Sequence, residues 1–146
     1  MQDEGKEFLL HPALTRSILG CCFAVMRELG PGFLERVYKN ALFLAMKQEG
    51  LNVEVEKLYE VKFRGKVVGR YSVDLVVDRT VIVELKCCEH LLSEHQAQVI
   101  NYLTVAQLPV GLLVNFRYRK LEYRRLFCEE KVPFEENEKS TVIKFS

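Results

Sequence analysis

Asp74, Glu84 and Lys86 stand inside two strand-like stretches, YSVDLVV and VIVELK, whose other positions are almost wholly apolar. A polar group buried there without a partner costs about 2–7 kcal/mol, so something must compensate two carboxylates and an ammonium. Side chains alternate faces along a strand, and residues opposite one another on neighbouring strands share a face. A three-residue turn at Asp78-Arg79-Thr80 sets Val77 opposite Val81 and Asp74 opposite Glu84, with Lys86 on the same face. A two-residue turn at Asp78-Arg79 would send Glu84 to the other face and dissolve the cluster unless a bulge intervened. Opposed carboxylates repel, and a divalent cation is the simplest compensation. Mg²⁺ takes a few carboxylate oxygens and keeps waters and substrate phosphates in its shell. Lys86 beside it would steer the attacking water or hold a phosphate. The structural alternative is a buried ion pair between Asp74 and Lys86, with Glu84 pointing to solvent at a strand edge. The residues alone leave both readings open.

The elements that must position these groups follow from periodicity. From Pro12 to Leu29, apolar Ile18, Cys22, Val25, Met26 and Leu29 recur at helical spacing, and Gly30-Pro31-Gly32 stops the turn. A second helix over roughly 33–49 carries Leu34, Val37, Tyr38, Ala41, Leu42 and Ala45 and ends at Gly50. The period then becomes two: Leu58–Phe63, Val67–Val77 and Val81–Leu85 read as strands joined by Arg64-Gly65-Lys66 and Asp78-Arg79-Thr80. Ser93 with Gln96 has capping-box spacing and opens a third helix to about Gln107. Val110–Asn115 and Leu121–Phe127 are two further strands, and Thr141–Phe145 is a candidate short one. The order α-α-β-β-β-α-β-β predicts an α/β domain with one mixed sheet flanked by helices. The expected organisation is a polar leader at 1–10, one domain over 11–128 and an acidic tail over 129–146.

Composition limits the function classes. With 146 residues, 49% apolar and 28% charged, the chain suits one globular domain. A formal net charge of +1 supplies no global field for nucleic acid, so such a partner must meet a local patch. No stretch approaches the ~20 apolar residues of a membrane span, and a cytoplasmic address is expected. Five cysteines, four of them vicinal pairs, fit neither a disulfide framework nor zinc-site or iron–sulfur spacing.

Gly32, Glu35 and Tyr38, in GFLERVY, spell G-x-x-E-x-x-Y. With VDLVVDRTVIVELK and QVINYL following in order, the chain from about Thr15 to Phe127 resembles the GxxExxY protein family, a branch of the PD-(D/E)XK nuclease superfamily. The resemblance implies a restriction-endonuclease-like fold and a Mg²⁺- or Mn²⁺-dependent nuclease. It makes Asp74 and Glu84 metal ligands, the Leu85 backbone carbonyl a further ligand, Lys86 the catalytic lysine and Glu35 an acidic group reaching the metal. Gln98 and Tyr102 resemble the Q-x-x-x-Y element of RecB-like nucleases, which holds nucleic acid and the active-site lysine; Tyr38 joins them as a substrate contact. The implied partner is nucleic acid, DNA before RNA, and a homodimer is the assembly admitted. A catalytically silent binding module on the same fold is the alternative. No proline precedes Asp74, and Arg117 stands where the family turns on glycine.

Other residues have ordinary readings. Glu35 also suits a helix N-terminus, where the macrodipole favours it by about 0.3–1 kcal/mol. His95 lies on the face of Gln98 and Tyr102 and reads as a surface histidine before a proton shuttle. The run NFRYRKLEYRR mixes cations with Tyr118 and Tyr123 and suits phosphate contacts and base stacking. In its plainer reading, Tyr123 and Phe127 face the core while the arginines are solvated.

Overall fold

The computed structural model describes residues 10–128. The expected leader, the acidic tail and the candidate strand Thr141–Phe145 lie outside the described residues, save for Leu10. Helices α1 (Pro12–Leu29) and α2 (Glu35–Gln48) precede β1 (Val53–Phe63), β2 (Lys66–Val77) and β3 (Val81–Lys86). Helix α3 (Ser93–Ala106), β4 (Val110–Asn115) and β5 (Glu122–Phe127) follow. The five strands lie side by side in chain order. Only β3 and β4 run parallel, because α3 is the crossover between them.

The apolar runs VIVEL and VGLLV form the buried centre of this sheet, as strands covered on both faces require. On one face, Ile18, Cys22, Met26, Leu42 and Met46 of α1 and α2 pack on Leu75, Val83, Leu85 and Leu112. Val99, Tyr102 and Leu103 of α3 cover Val76, Ile82 and Leu113 on the other. Gly111 is the point of closest approach: a β-carbon there would stand 2.6 Å from Val99 Cγ1. Cys21 and Cys22 are buried among the apolar side chains, as small hydrophobes should be.

Several element boundaries shift by a residue or two from the sequence reading, and three differences bear on local geometry. Strand β1 begins at Val53 rather than Leu58, taking in Val53-Glu54-Val55-Glu56, which already alternates apolar and charged side chains. The first hairpin turns on Arg64-Gly65 alone, since Phe63 pairs with Lys66. Helix α3 has Leu92, not Ser93, as its N-cap; His95 Nδ1 accepts the Leu92 N–H at 3.0 Å. His95 is therefore occupied in holding the helix start. Among the described residues, no helix is long and apolar enough to cross a membrane.

Candidate active site

The turn at Asp78-Arg79-Thr80 has the predicted odd length: Val77 pairs with Val81, Val76 with Ile82 and Leu75 with Val83. The ladder stops one step before Asp74 and Glu84. Side chains take over there. The Asp74 N–H donates to Glu84 Oε1 at 2.7 Å, and the Leu85 N–H donates to Asp74 Oδ2 at 2.9 Å. Each carboxylate replaces a backbone carbonyl of the missing ladder and is fixed by the opposite strand.

Why the strands part at this point is visible on β1. Val55 pairs with Leu75 and Lys57 with Val73, so Glu56 lies opposite Asp74. Glu56 has a left-handed φ of 50°, a costly conformation for a residue with a side chain. Leu75 and Val77 pack under α1 and α2, yet Val73, of the same parity, packs under α3. The alternation of faces thus slips at Asp74. In place of two carboxylates projecting from one flat face, Asp74 lies in the gap between β2 and β3 and Glu84 on the α3 side of it.

Glu84 is only 5% exposed, and Lys86 Nζ donates to Gln98 Oε1 at 3.2 Å. These two facts remove the structural alternative: Glu84 does not face solvent, and Lys86 is held by α3 rather than by Asp74. Burial, and then the charge of Asp74, push Glu84 up to about 8. Burial first and Asp74 second also raise Glu35, which stands at the exposed rim on α2, with Lys86 and Lys39 opposing. Tyr102 is 8% exposed and rises to about 12 through burial and the nearby carboxylates, so it remains a neutral phenol. With Tyr71, Gln98 and Asn101 it lines a shallow cavity of about 400 Å³.

Tyr38 is the residue placed wrongly. It is fully buried, stacked on Phe116 at 5.1 Å, and offers no surface to a substrate. Its hydroxyl donates to the Gly30 carbonyl at 2.7 Å and accepts the Phe33 N–H at 3.2 Å. Tyr38 clamps the turn that sets α2, and hence Glu35, against the sheet. Tyr38→Phe should lower unfolding free energy by about 1–2 kcal/mol in urea denaturation, by removing one bond and leaving partners unmet. Binding at the site should be little affected.

Two contributors went unseen in the sequence. Lys39 Nζ lies 2.9 Å from Glu56 Oε1 and 3.7 Å from Asp74 Oδ1, the aspartate oxygen that the backbone leaves free. Its position four residues after Glu35 puts both on one helix face, which was the available signal. Asn115 is buried at the end of β4. It exchanges hydrogen bonds with the Cys88 backbone, N–H to Oδ1 at 3.1 Å and Nδ2 to the carbonyl at 2.8 Å. Its Nδ2 also donates to Glu122 Oε1, which accepts the Leu91 N–H. This hub fixes the loop between Lys86 and α3, and so the Lys86–Gln98 contact. Asn115 Oδ1 further accepts the Arg117 N–H at 3.1 Å, an Asx turn that does without glycine. In the basic run the plainer reading holds: Tyr123 and Phe127 pack on the core, while Arg117, Arg119 and Lys120 are exposed.

The donor set suits a hard divalent cation. Asp74 Oδ1 and Glu84 Oε2 are not taken by backbone donors. A strand residue's N–H and C=O point to the same side, so the Leu85 carbonyl turns with its N–H toward Asp74. Lys86 points its carbonyl the other way, to the Phe116 N–H. Among the described residues no cluster of three or more His, Cys, Asp or Glu forms a ready cage. Two carboxylates and a carbonyl are the sparse set that a strongly hydrated ion accepts.

A five-stranded sheet with a broken central ladder, opposed carboxylates at the break and a lysine two residues on defines a nuclease-type α/β fold. The family model of the PD-(D/E)XK nuclease superfamily matches residues 12–126, and the chain belongs to that superfamily. No curated protein matches it. Among solved structures, the crystal structure of SSO0001 aligns with a TM-score of 0.54 and 19% identity. The alignment covers 66% of this chain and 50% of that one, so this chain spans about half the length of that relative; the likeness is one of fold.

Proposed function

We propose that the protein is a Mg²⁺- or Mn²⁺-dependent nuclease, of the GxxExxY branch, that hydrolyses phosphodiester bonds in nucleic acid, DNA before RNA. The observation that carries this reading is the pair of carboxylates fixed by each other's strands beside a lysine aimed by Gln98. Asp74, Glu84 and the Leu85 carbonyl would hold the ion, with Glu35 reaching it from the rim. When bound, the ion polarises the scissile phosphate and acidifies the attacking water. Lys86 Nζ orients that water or offsets charge growing on phosphorus. Gln98 fixes the ammonium, and Tyr102, a neutral donor, floors the cavity that receives the strand. Incubating purified protein with plasmid, single-stranded DNA and RNA, in Mn²⁺ and in EDTA, tests this. Mn²⁺-dependent cleavage supports the reading; nucleic acid bound but never cut favours the silent module.

The raised Glu84 predicts a pH dependence without metal. The carboxyl rises from 4.5 to about 8 on folding, so between those values only the folded chain holds the proton. This carboxyl's contribution to stability is therefore fully present below the lower value and is lost as pH rises through the window. Urea melts in EDTA at several pH values should show that decline, and Glu84→Gln should flatten it. A wild-type profile flat across the window would contradict the burial of an uncompensated carboxylate.

A further inference from the structure

The first hairpin outgrows the sheet it belongs to. Strand β3 pairs only with Leu75–Val77, yet β1 and β2 remain paired to Phe63 and Lys66. From Ser72 to Lys66 that extension runs roughly 20 Å at about 3.3 Å per residue. No residue from 60 to 72 is buried, so both faces of the ribbon are open. Leu58, Phe63 and Val68 are each at least 60% exposed. A lone two-stranded ribbon is marginally stable by itself, and an exposed apolar one calls for a partner.

The charges identify that partner. Between Leu58 and Tyr71 the ribbon carries Lys62, Arg64, Lys66 and Arg70 against Glu60 alone, on a chain whose net charge is +1. Glu60 lies 3.5 Å from Arg70, and among the described residues no carboxylate forms an ion pair with Lys62, Arg64 or Lys66. Three uncompensated cations thus sit at the tip, where a second copy of the chain docked isologously would bring like charges together. Arg64 and Gly65 have φ of 52° and 78°, as in a two-residue turn that adds no loop bulk. Two strands of this width fit the roughly 12 Å major groove of B-form DNA, whereas the deep, narrow major groove of duplex RNA does not admit them. At the base of the ribbon, Tyr71 meets Tyr102 at 5.3 Å and shares the cavity with Gln98, which holds Lys86.

We propose that the β1–β2 ribbon is an arm that enters the major groove of duplex DNA, its tip cations Lys62, Arg64 and Lys66 on phosphates. This rests on the nuclease reading only for naming that duplex as the substrate. The test is fluorescence anisotropy of a labelled DNA duplex in EDTA across a salt series. Wild type is compared with the triple variant Lys62→Ser, Arg64→Asn, Lys66→Ser. Three lost phosphate contacts should reduce the log–log salt slope by about 2.7 and weaken low-salt binding at least tenfold. Circular dichroism and Mn²⁺-induced thermal stabilisation should be unchanged, because the arm lies outside the core. Lys62→Arg with Lys66→Arg should keep the wild-type slope. An unchanged slope in the triple variant overturns the inference, as does equal weakening on duplex RNA. So does a dimer-to-monomer change in sedimentation with DNA affinity intact. Since binding is read without metal, failure of the nuclease reading appears separately, as a wild-type arm that binds DNA in a protein with no Mn²⁺-dependent cleavage.

Discussion

Lys86→Met is expected to reduce cleavage by about 10²–10⁴-fold, the range of a lost acid–base group. The side chain of Lys86 is half-buried at the end of β3, and methionine keeps most of the apolar stem's packing. What disappears is the ammonium that Gln98 Oε1 holds at 3.2 Å. Asp74 and Glu84 retain their backbone donors, so the fold should survive and the cation should bind as well or more tightly without a neighbouring charge. The checking measurement is cleavage rate and affinity for one substrate, wild type against variant, at fixed salt and metal. Cleavage that persists unchanged would assign the activity to a contaminant or another site.

Asp74→Asn should leave the metal-free protein as stable as wild type or more so, while removing its stabilisation by Mn²⁺. The asparagine carbonyl can still accept the Leu85 N–H, so the broken ladder stays bridged. Glu84 loses the neighbouring charge that helps push it up. The Lys39 contact at 3.7 Å is also lost, a partly exposed interaction worth at most about 1 kcal/mol. In the presence of metal the outcome reverses. A ligand at 100 times its Kd stabilises the native state by about 2.7 kcal/mol, and the variant should lose that gain. Thermal melts with and without Mn²⁺ decide the matter. A variant strongly destabilised in EDTA would instead make Asp74 a structural residue.

The sequence carried the site further than it carried the geometry. Parity across Asp78-Arg79-Thr80 set Asp74 opposite Glu84, because the length of that turn fixes the register in which β2 pairs with β3. Gln98 was reached only through the resemblance of Gln98 and Tyr102 to a Q-x-x-x-Y element, since their spacing alone describes any helix face. The slip of faces at Asp74 was not, since it depends on the left-handed Glu56, and neither glycine nor proline marks the place. Tyr38 misled for a related reason: a tyrosine in a motif can serve through its hydroxyl's hold on a turn as well as through a substrate. Asn115 acts through the backbone of Cys88, in the loop before α3, and through Glu122 at the start of β5, which no local pattern encodes.

The most direct test of the metal site is an anomalous difference map from a crystal soaked in Mn²⁺. The predicted result is one peak in the gap between β2 and β3, bounded by the Asp74 and Glu84 carboxylates and the Leu85 carbonyl. Lys39 should have moved off Asp74 Oδ1, and the peak should be missing in Asp74→Asn. No peak there, or a peak bound only elsewhere on the chain, would contradict the account.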